Sequence, residues 1–422
     1  MTRGVACANV RGISGAAYSQ RKEQHIPQRR EAAIVGIYEY PLRVIGPGTS
    51  ALQIKAACAA KALEDAGLTW RDVDAVYDTA GDQGIGGLGI SEYLGLKPRV
   101  IDTTYVGGSS FEFQANHARS MLAAGKCNVA LLTYGSTAHS DRRAIGTAGA
   151  TGVRTATFIN NMEDPWGLTL IGNYAMVKTR HIFQYGTSNA QFAAICVATR
   201  CHAMRNPEAV RAMTDLEFVG VREITTHDVL ESRMIAYPLR LLECCMVSDG
   251  GGAVVIASPD VVRNTRKKPV WIIGAGEATK YRENNGDITV SAGAQSGPLA
   301  FADAGVTPAE IDVLMAYDSF SITVMCLIED LGFCKKGEGG AYVSDGHLVF
   351  DDPRKPALNT DGGGLSSNHP GQRGIFLLLE ATRQLRGEST AQVKDTKLAV
   401  AVGNGGQLGS RHATGVTILA AD

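Results

Sequence analysis

Leu299-Ala-Phe-Ala-Asp-Ala304-Gly305-Val306-Thr-Pro-Ala-Glu-Ile-Asp312-Val313-Leu-Met-Ala-Tyr317 reads as the end of a helix, a left-handed glycine cap, a capped turn and a buried strand. The same order is written earlier in the chain. An amphipathic helix from Ser50 to Ala66 ends at Gly67, Leu68-Thr-Trp-Arg-Asp-Val-Asp74 makes the turn, and Ala75 to Asp78 the strand. The offset is 304 − 66 = 238 residues. A second echo pairs Cys127-Asn-Val-Ala-Leu-Leu-Thr-Tyr-Gly135 with Lys397-Leu-Ala-Val-Ala-Val-Gly-Asn-Gly405, each a buried strand running into glycine. Strands alternating with helices, twice over, predict an α/β fold with parallel sheets of βαβ units in two pseudo-duplicated halves.

Working outward, order begins at the short strand Ala32-Ala-Ile-Val-Gly36, and a Pro/Gly loop through Gly48 leads to the first helix. Helical signals at Asn173 to Tyr185 and Asn189 to Met204, with loops such as Asn160-Asn-Met-Glu-Asp-Pro165, mark residues 137–240 as a cap inserted in the first half. Such a cap is placed to cover a site and set its specificity. The basic stretch Arg263 to Lys268 reads as the solvated link between halves. The division is therefore a flexible arm at 1–30, a first half at 31–265 and a second half at 266–422. The Arg- and Gln-containing arm also fits a strap laid on a partner subunit.

Composition narrows the function. Of the 422 residues, 45% are hydrophobic, and the formal net charge is −1. A packed protein without a basic footprint is not built for nucleic acid or for an anionic membrane surface. Nine cysteines, an odd number with no CxxC pair, read as reduced residues of a cytoplasmic protein, with no zinc site and no metal. No apolar run of signal-peptide length follows the first arginine, and no membrane span is expected.

Asn359-Thr-Asp-Gly-Gly-Gly-Leu-Ser-Ser-Asn-His369-Pro-Gly-Gln-Arg-Gly374 is the candidate site, with the helical run Ile375 to Arg386 directly behind it. Glycines such as Gly363 and Gly364 can bring backbone N–H groups against a substrate. The following helix offers its N-terminus to negative charge.

These features together resemble the thiolase superfamily over about residues 31 to 422, and within it the sterol-carrier-protein-type thiolases and the lipid-transfer-like, steroid side-chain-cleaving aldolases. Val247-Ser-Asp-Gly-Gly-Gly-Ala-Val-Val255 is similar to the family's Ser-Asp-Gly-Ala-Ala-Ala strand, and Asn359 to Gly374 to its Gly-His-Pro loop. The resemblance implies a layered α-β-α-β-α architecture, with His369 in an oxyanion hole. It also implies a homodimer paired near Tyr105, and a small partner with an OB-fold and a zinc ribbon.

The departures carry more information. Counting back from Gly125 puts Gly108, in Tyr105-Val-Gly-Gly-Ser-Ser-Phe111, where the family has its nucleophilic cysteine. Ser109 and Ser110 beside it read as helix caps. The second family cysteine falls in Ala401-Val-Gly-Asn-Gly-Gly-Gln407, where Val402 or Gly403 stands and Gly405 follows. Tyr317-Asp-Ser-Phe320 replaces Asn-Glu-Ala-Phe or His-Asp-Cys-Phe.

An oxyanion pocket without a nucleophile can still stabilise the enolate of an acyl-CoA. Enolates leave when a β-hydroxyacyl-CoA undergoes retro-aldol cleavage to an acyl-CoA and a ketone or aldehyde. That reaction needs no covalently bound cofactor; coenzyme A enters as the substrate's thioester. Tyr317 is the proton carrier and His369 the oxyanion donor, expected to act on opposite ends of the substrate. Asp318, Asp361 and Asn368 orient them, and His117 is a satisfied helix residue. Cys245 faces the same cavity by family analogy, as packing or as substrate contact. Two other readings stay open: an acyl-CoA acyltransferase or β-ketothiolase using another residue, and a non-catalytic subunit or lipid carrier.

Overall fold

The computed structural model describes residues 30–79, 86–142, 169–281 and 286–422. Residues 1–29 of the expected arm, and the Asn160–Pro165 loop of the expected cap, lie outside the described residues.

Twelve strands are described, and ten of them form one sheet. In chain order these ten are β1 (Ala33–Glu39), β2 (Ala75–Asp78), β3 (Val100–Asp102), β4 (Val129–Ser136), β7 (Gly250–Ala257), β8 (Val270–Lys280), β9 (Val313–Ala316), β10 (Ala357–Leu358), β11 (Leu398–Gln407) and β12 (Arg411–Ala421). The other two, β5 (Met234–Ala236) and β6 (Leu239–Arg240), pair only with each other. The sheet runs β10-β9-β11-β12-β8-β1-β7-β4-β2-β3. It divides into two five-stranded parts, joined where Ala33 and Ile34 of β1 meet Trp271 and Val270 of β8.

Each part repeats one pattern. Two pairings are antiparallel, β1 with β7 and β7 with β4, or β8 with β12 and β12 with β11. The other two are parallel, β4–β2–β3 or β11–β9–β10. The expected parallel sheets are thus mixed. Leu408–Ser410 is too short to cross over from β11 to β12, so that pair folds back on itself.

The repeat extends to backbone detail. Gly67 and Gly305 both end their helices in the left-handed conformation, at φ 74° and 67°. Thr69 with Asp72 and Thr307 with Glu310 form the same capping box. Asp74 accepts from the N–H groups of Asn128 and Val129, and Asp312 from those of Lys397 and Leu398. That pairing matches Asn128 to Lys397 and puts the second echo one residue out of the register read from sequence.

Helices complete five layers. Ala51–Ala66 covers β1, β7 and β4 on one outside, and Gly293–Ala304 covers β8 and β12 on the other. Helices Ser110–Ala123 and Gly374–Arg386 lie between the sheet parts, the first against β4, β11 and β12, the second against β1, β7, β9 and β11. Most of their residues are buried, as a helix enclosed on all sides requires. Both inner helices start at the same end of the sheet, the first just after Gly108 and the second at Gly374. A Cβ added to Gly374 would lie 2.4 Å from the Gly108 carbonyl oxygen. Among the described residues no helix is long and apolar enough to cross a membrane.

Candidate active site

The two inner helix N-termini border a cavity of about 730 Å³, lined among others by Gly108, Tyr134, Tyr174, Tyr317, His369 and Asn404. Tyr317 arrives from the end of β9, where its N–H donates to the Val402 carbonyl at 2.9 Å. Asn359, the first residue of the glycine-rich stretch, fixes that strand end. Its side-chain amide accepts from the Ala316 N–H and donates to the Ala316 carbonyl, both at 2.8 Å.

Tyr317 and His369 meet edge to face, with ring centroids 5.5 Å apart. The expectation that they serve opposite ends of a substrate contracts accordingly. Two rings in contact can only serve atoms a few bonds apart. Burial, with Cys245, Tyr174 and Tyr134 nearby, holds the Tyr317 phenol well above its usual pKa of 10.0, so it is protonated at neutral pH. The Arg373 backbone N–H, at the N-terminus of helix Gly374–Arg386, pulls the other way by favouring the phenolate. Burial, then the Arg373 charge, lowers His369 from 6.5 to about 3, so its imidazole is neutral. Neither ring nitrogen has a partner among the described residues. The neutral ring thus keeps one N–H and one lone pair unpaired among the described residues.

Gly108 packs directly against the Tyr317 ring. A Cβ built on it would fall 2.2 Å from Tyr317 Cε2 and 2.3 Å from its hydroxyl oxygen. The phenol occupies the space a side chain at 108 would need, so the tyrosine at 317 requires a glycine at 108. Gly405 is fitted as closely, since a Cβ there would meet the Val106 carbonyl oxygen at 1.6 Å. Cys245 lines the same cavity, and burial, with Cys244 and Asp318 adding to it, raises its thiol far above the usual range. Such a thiol is a poor source of thiolate.

The remaining expected site residues stand behind the cavity wall. Asp318 accepts from the N–H groups of Gly364 and Leu365 at 2.7 and 3.2 Å and lies 3.2 Å from the Arg373 guanidinium. Arg373 also donates to Asn368 and Asp361. Gly363 and Gly364, expected to turn their N–H groups to a substrate, give them instead to Asp361 and Asp318, and neither residue borders the cavity. Ser109 makes no capping bond; its hydroxyl accepts from the Gly415 N–H of β12 at 2.7 Å. Ser110 makes the local turn instead, donating to Gly107 O and accepting from Val106 N. His117 is satisfied as expected, between Asp102 at 2.7 Å and Glu277 at 3.3 Å.

Three contributors were not anticipated. Arg373 is one, although it stands inside the glycine-rich stretch. Tyr134, at the end of β4, donates to the Pro370 carbonyl at 2.6 Å and accepts from Gln372 N at 3.0 Å, which clamps the His-Pro loop. Tyr174 comes from helix Leu170–Tyr185, inside the expected cap, and packs on Phe320 with centroids 4.5 Å apart. A tyrosine at a strand end was the available signal for Tyr134. Tyr174 carried none, because its partner Asn404 lies 230 residues away.

Comparison with known proteins agrees with this architecture. Residues 274–420 match the family described as Thiolase C-terminal domain-like. An acetyl-CoA acetyltransferase of Methanothermobacter thermautotrophicus is 32% identical over 83% of this chain and 90% of its own length. A 17-hydroxy-3-oxo-4-pregnene-20-carboxyl-CoA lyase of Mycobacterium tuberculosis is 31% identical over 86% of this chain and 93% of its own. The chain belongs to the thiolase superfamily. Its relatives there include both acyltransferases and lyases that cleave steroid side chains. Among solved structures, an Ltp2-ChsH2(DUF35) aldolase superposes with a TM-score of 0.81 at 28% identity, over 94% of this chain and 99% of that one.

Proposed function

We propose that this protein is a carbon–carbon lyase that cleaves a β-hydroxyacyl-CoA by retro-aldol reaction, releasing an acyl-CoA and a ketone or aldehyde. The observation that carries this reading is the interlock of Gly108 with Tyr317, which fills the nucleophile's space with a phenol. The raised Cys245 thiol supports it from the other side.

In the proposed step the bond between Cα and Cβ breaks and its electron pair becomes the enolate of the thioester. The β-oxygen loses its proton as the new carbonyl forms, and Cα gains one. Tyr317 carries that proton: its hydroxyl passes one to Cα and takes one from the β-oxygen. The Arg373 N–H steadies the charge that develops on the phenol meanwhile. His369, neutral and unpartnered, donates its N–H to the thioester oxygen. Asp318, Asp361 and Asn368 act through Arg373 to hold the loop that presents His369.

The assembly belongs to the same proposal. β3 is an edge strand with Ile101 and, just beyond it, Tyr105 exposed, which supports a homodimer paired along that edge. The similar Ltp2-ChsH2(DUF35) aldolase supports a small second subunit here as well. The test is product analysis combined with intact-mass spectrometry during turnover. A carbonyl product, one shorter acyl-CoA and no acylated protein are expected. Two CoA thioesters as products, or an acyl group trapped on Cys245, would replace the lyase by an acyltransferase.

A further inference from the structure

The hairpin of β11 and β12 presents buried polar atoms to one side of the ladder that the proposed chemistry leaves unused. Asn404 pairs with Thr414 and Gly406 with His412, so the side chains of Asn404, His412 and Thr414 share one face. Asn404 Oδ1, His412 Nδ1 and Thr414 Oγ1 are all buried, and none has a partner among the described residues. Asn404 and His412 line the cavity.

Their hydrogen-bonding polarity follows from their neighbours. His412 Nε2 accepts the Ala292 N–H at 2.8 Å, so the ring proton sits on Nδ1, and Nδ1 is a donor. Burial, then the Lys280 charge, brings His412 from 6.5 to about 4 and keeps that tautomer neutral. The Tyr174 hydroxyl donates to the Gly406 carbonyl at 3.2 Å and therefore accepts from Asn404 Nδ2 at 3.1 Å. That leaves Asn404 Oδ1 as a buried acceptor without a partner among the described residues. A donor and an acceptor at diagonal positions on one ladder face suit a group that both accepts and donates.

We propose that Asn404 and His412 form an acyl-recognition subsite for a hydroxyl group carried by the substrate beyond its reacting carbons. His412 Nδ1–H donates to the hydroxyl oxygen and Asn404 Oδ1 accepts its proton. This inference rests on the acyl-CoA lyase reading and narrows its substrate to a hydroxylated acyl group. The placement is distal because β11 separates β9 from β12. Tyr317 continues the β9 register opposite Gly403, where an added Cβ would meet Glu112 of helix Ser110–Ala123, so Asn404 and His412 occupy the other face of the ladder, on strands about 5 and 10 Å from that of Tyr317. A hydroxyl held between them is several bonds beyond the β-carbon. Leaving buried donors and acceptors unpaired penalises the analogue that lacks the hydroxyl.

The test uses 3-cyclohexylpropanoyl-CoA, which has no β-hydroxyl and cannot be cleaved, and its 2-, 3- and 4-ring-hydroxyl isomers. Calorimetric titration of the wild-type protein should show at least one ring-hydroxylated isomer binding about tenfold or more tighter than the parent. Asn404→Leu and His412→Phe should each bring that isomer back towards the parent's affinity. Equal affinity for the parent and all three isomers would overturn the subsite and leave ordered water as the partner of these atoms. Selectivity for a β-hydroxyl alone, measured with 3-hydroxy-3-cyclohexylpropanoyl-CoA, would overturn the distal assignment. Because the wild-type comparison decides, a variant that fails to fold does not blunt the test. Discrimination in binding with no aldehyde released from any 3-hydroxy substrate would sink the lyase reading and spare the subsite; aldehyde release with no discrimination would do the reverse.

Discussion

The two halves share a frame and differ where their strands end. Gly36 in β1 and Gly274 in β8 do the same structural job. A Cβ on Gly36 would come 2.1 Å from the Ala62 carbonyl oxygen, and one on Gly274 2.5 Å from that of Ala300. At the strand ends the halves part. β9 of the second half delivers Tyr317 to the cavity, while β2 of the first ends at Asp78, which accepts from buried Lys55 at 2.8 Å. The first half supplies a space at Gly108 and the second supplies the groups that fill it. A duplicated fold can thus keep its packing at sheet–helix contacts and diverge where strands stop, because strand ends carry few of the contacts that hold the layers.

That contrast is most sharply broken at Tyr317. Tyr317→Phe keeps the ring against Gly108 and removes only the proton carrier, so kcat should fall about 10²- to 10⁴-fold with KM little changed. His369→Ala should cost about 10²- to 10³-fold in kcat. Steady-state kinetics on a substrate that the enzyme cleaves checks both. Wild-type turnover in Tyr317→Phe would make the tyrosine structural.

Gly108→Ala tests the interlock itself. The added methyl must displace the Tyr317 ring or the helix start, an overpacking cost of about 1–3 kcal/mol, visible as a lowered denaturation midpoint. Pairing it with a smaller residue at 317 should restore stability without restoring turnover. A Gly108→Ala protein as stable and active as wild type would show that the two positions do not compete for space.

The smallest effect concerns His117, which joins Asp102 of β3 to Glu277 of β8 across the two halves. The Asp102 hydrogen bond first, then the Glu277 one, raises its pKa from 6.5 to about 10. A raised folded-state value stabilises the fold fully below pH 6.5, and that contribution is lost as pH climbs through about 10. Wild type should therefore exceed His117→Gln in urea stability at pH 6, and the gap should close by pH 10.5. A gap independent of pH would mean that packing, not charge, is what the histidine contributes.

The frame was legible because its signals are local. Gly67, Gly305 and the Thr69 and Thr307 capping boxes each announce themselves within a few residues. The mixed pairing was not, since whether β11 and β12 run parallel depends on which strands meet rather than on either one's composition. Tyr317 and His369 stood out from their motif slots. Gly363 and Gly364 misled, because a glycine run shows that backbone comes close to something without saying that the something is Asp318. Arg373 and Tyr174 stayed hidden for the complementary reason: each acts through partners that only the finished fold brings near.

One further consequence lies in Cys244–Ser248. This first-half segment threads between two second-half loops. Cys245 N–H donates to the Ser319 carbonyl at 3.0 Å and Met246 N–H to that of Gly364 at 2.8 Å, and Ser248 exchanges bonds with His369. The loops bearing Tyr317 and His369 are thus latched by chain that belongs to the other half. A protein cut between the halves would have to redock that latch before Tyr317 and His369 could meet.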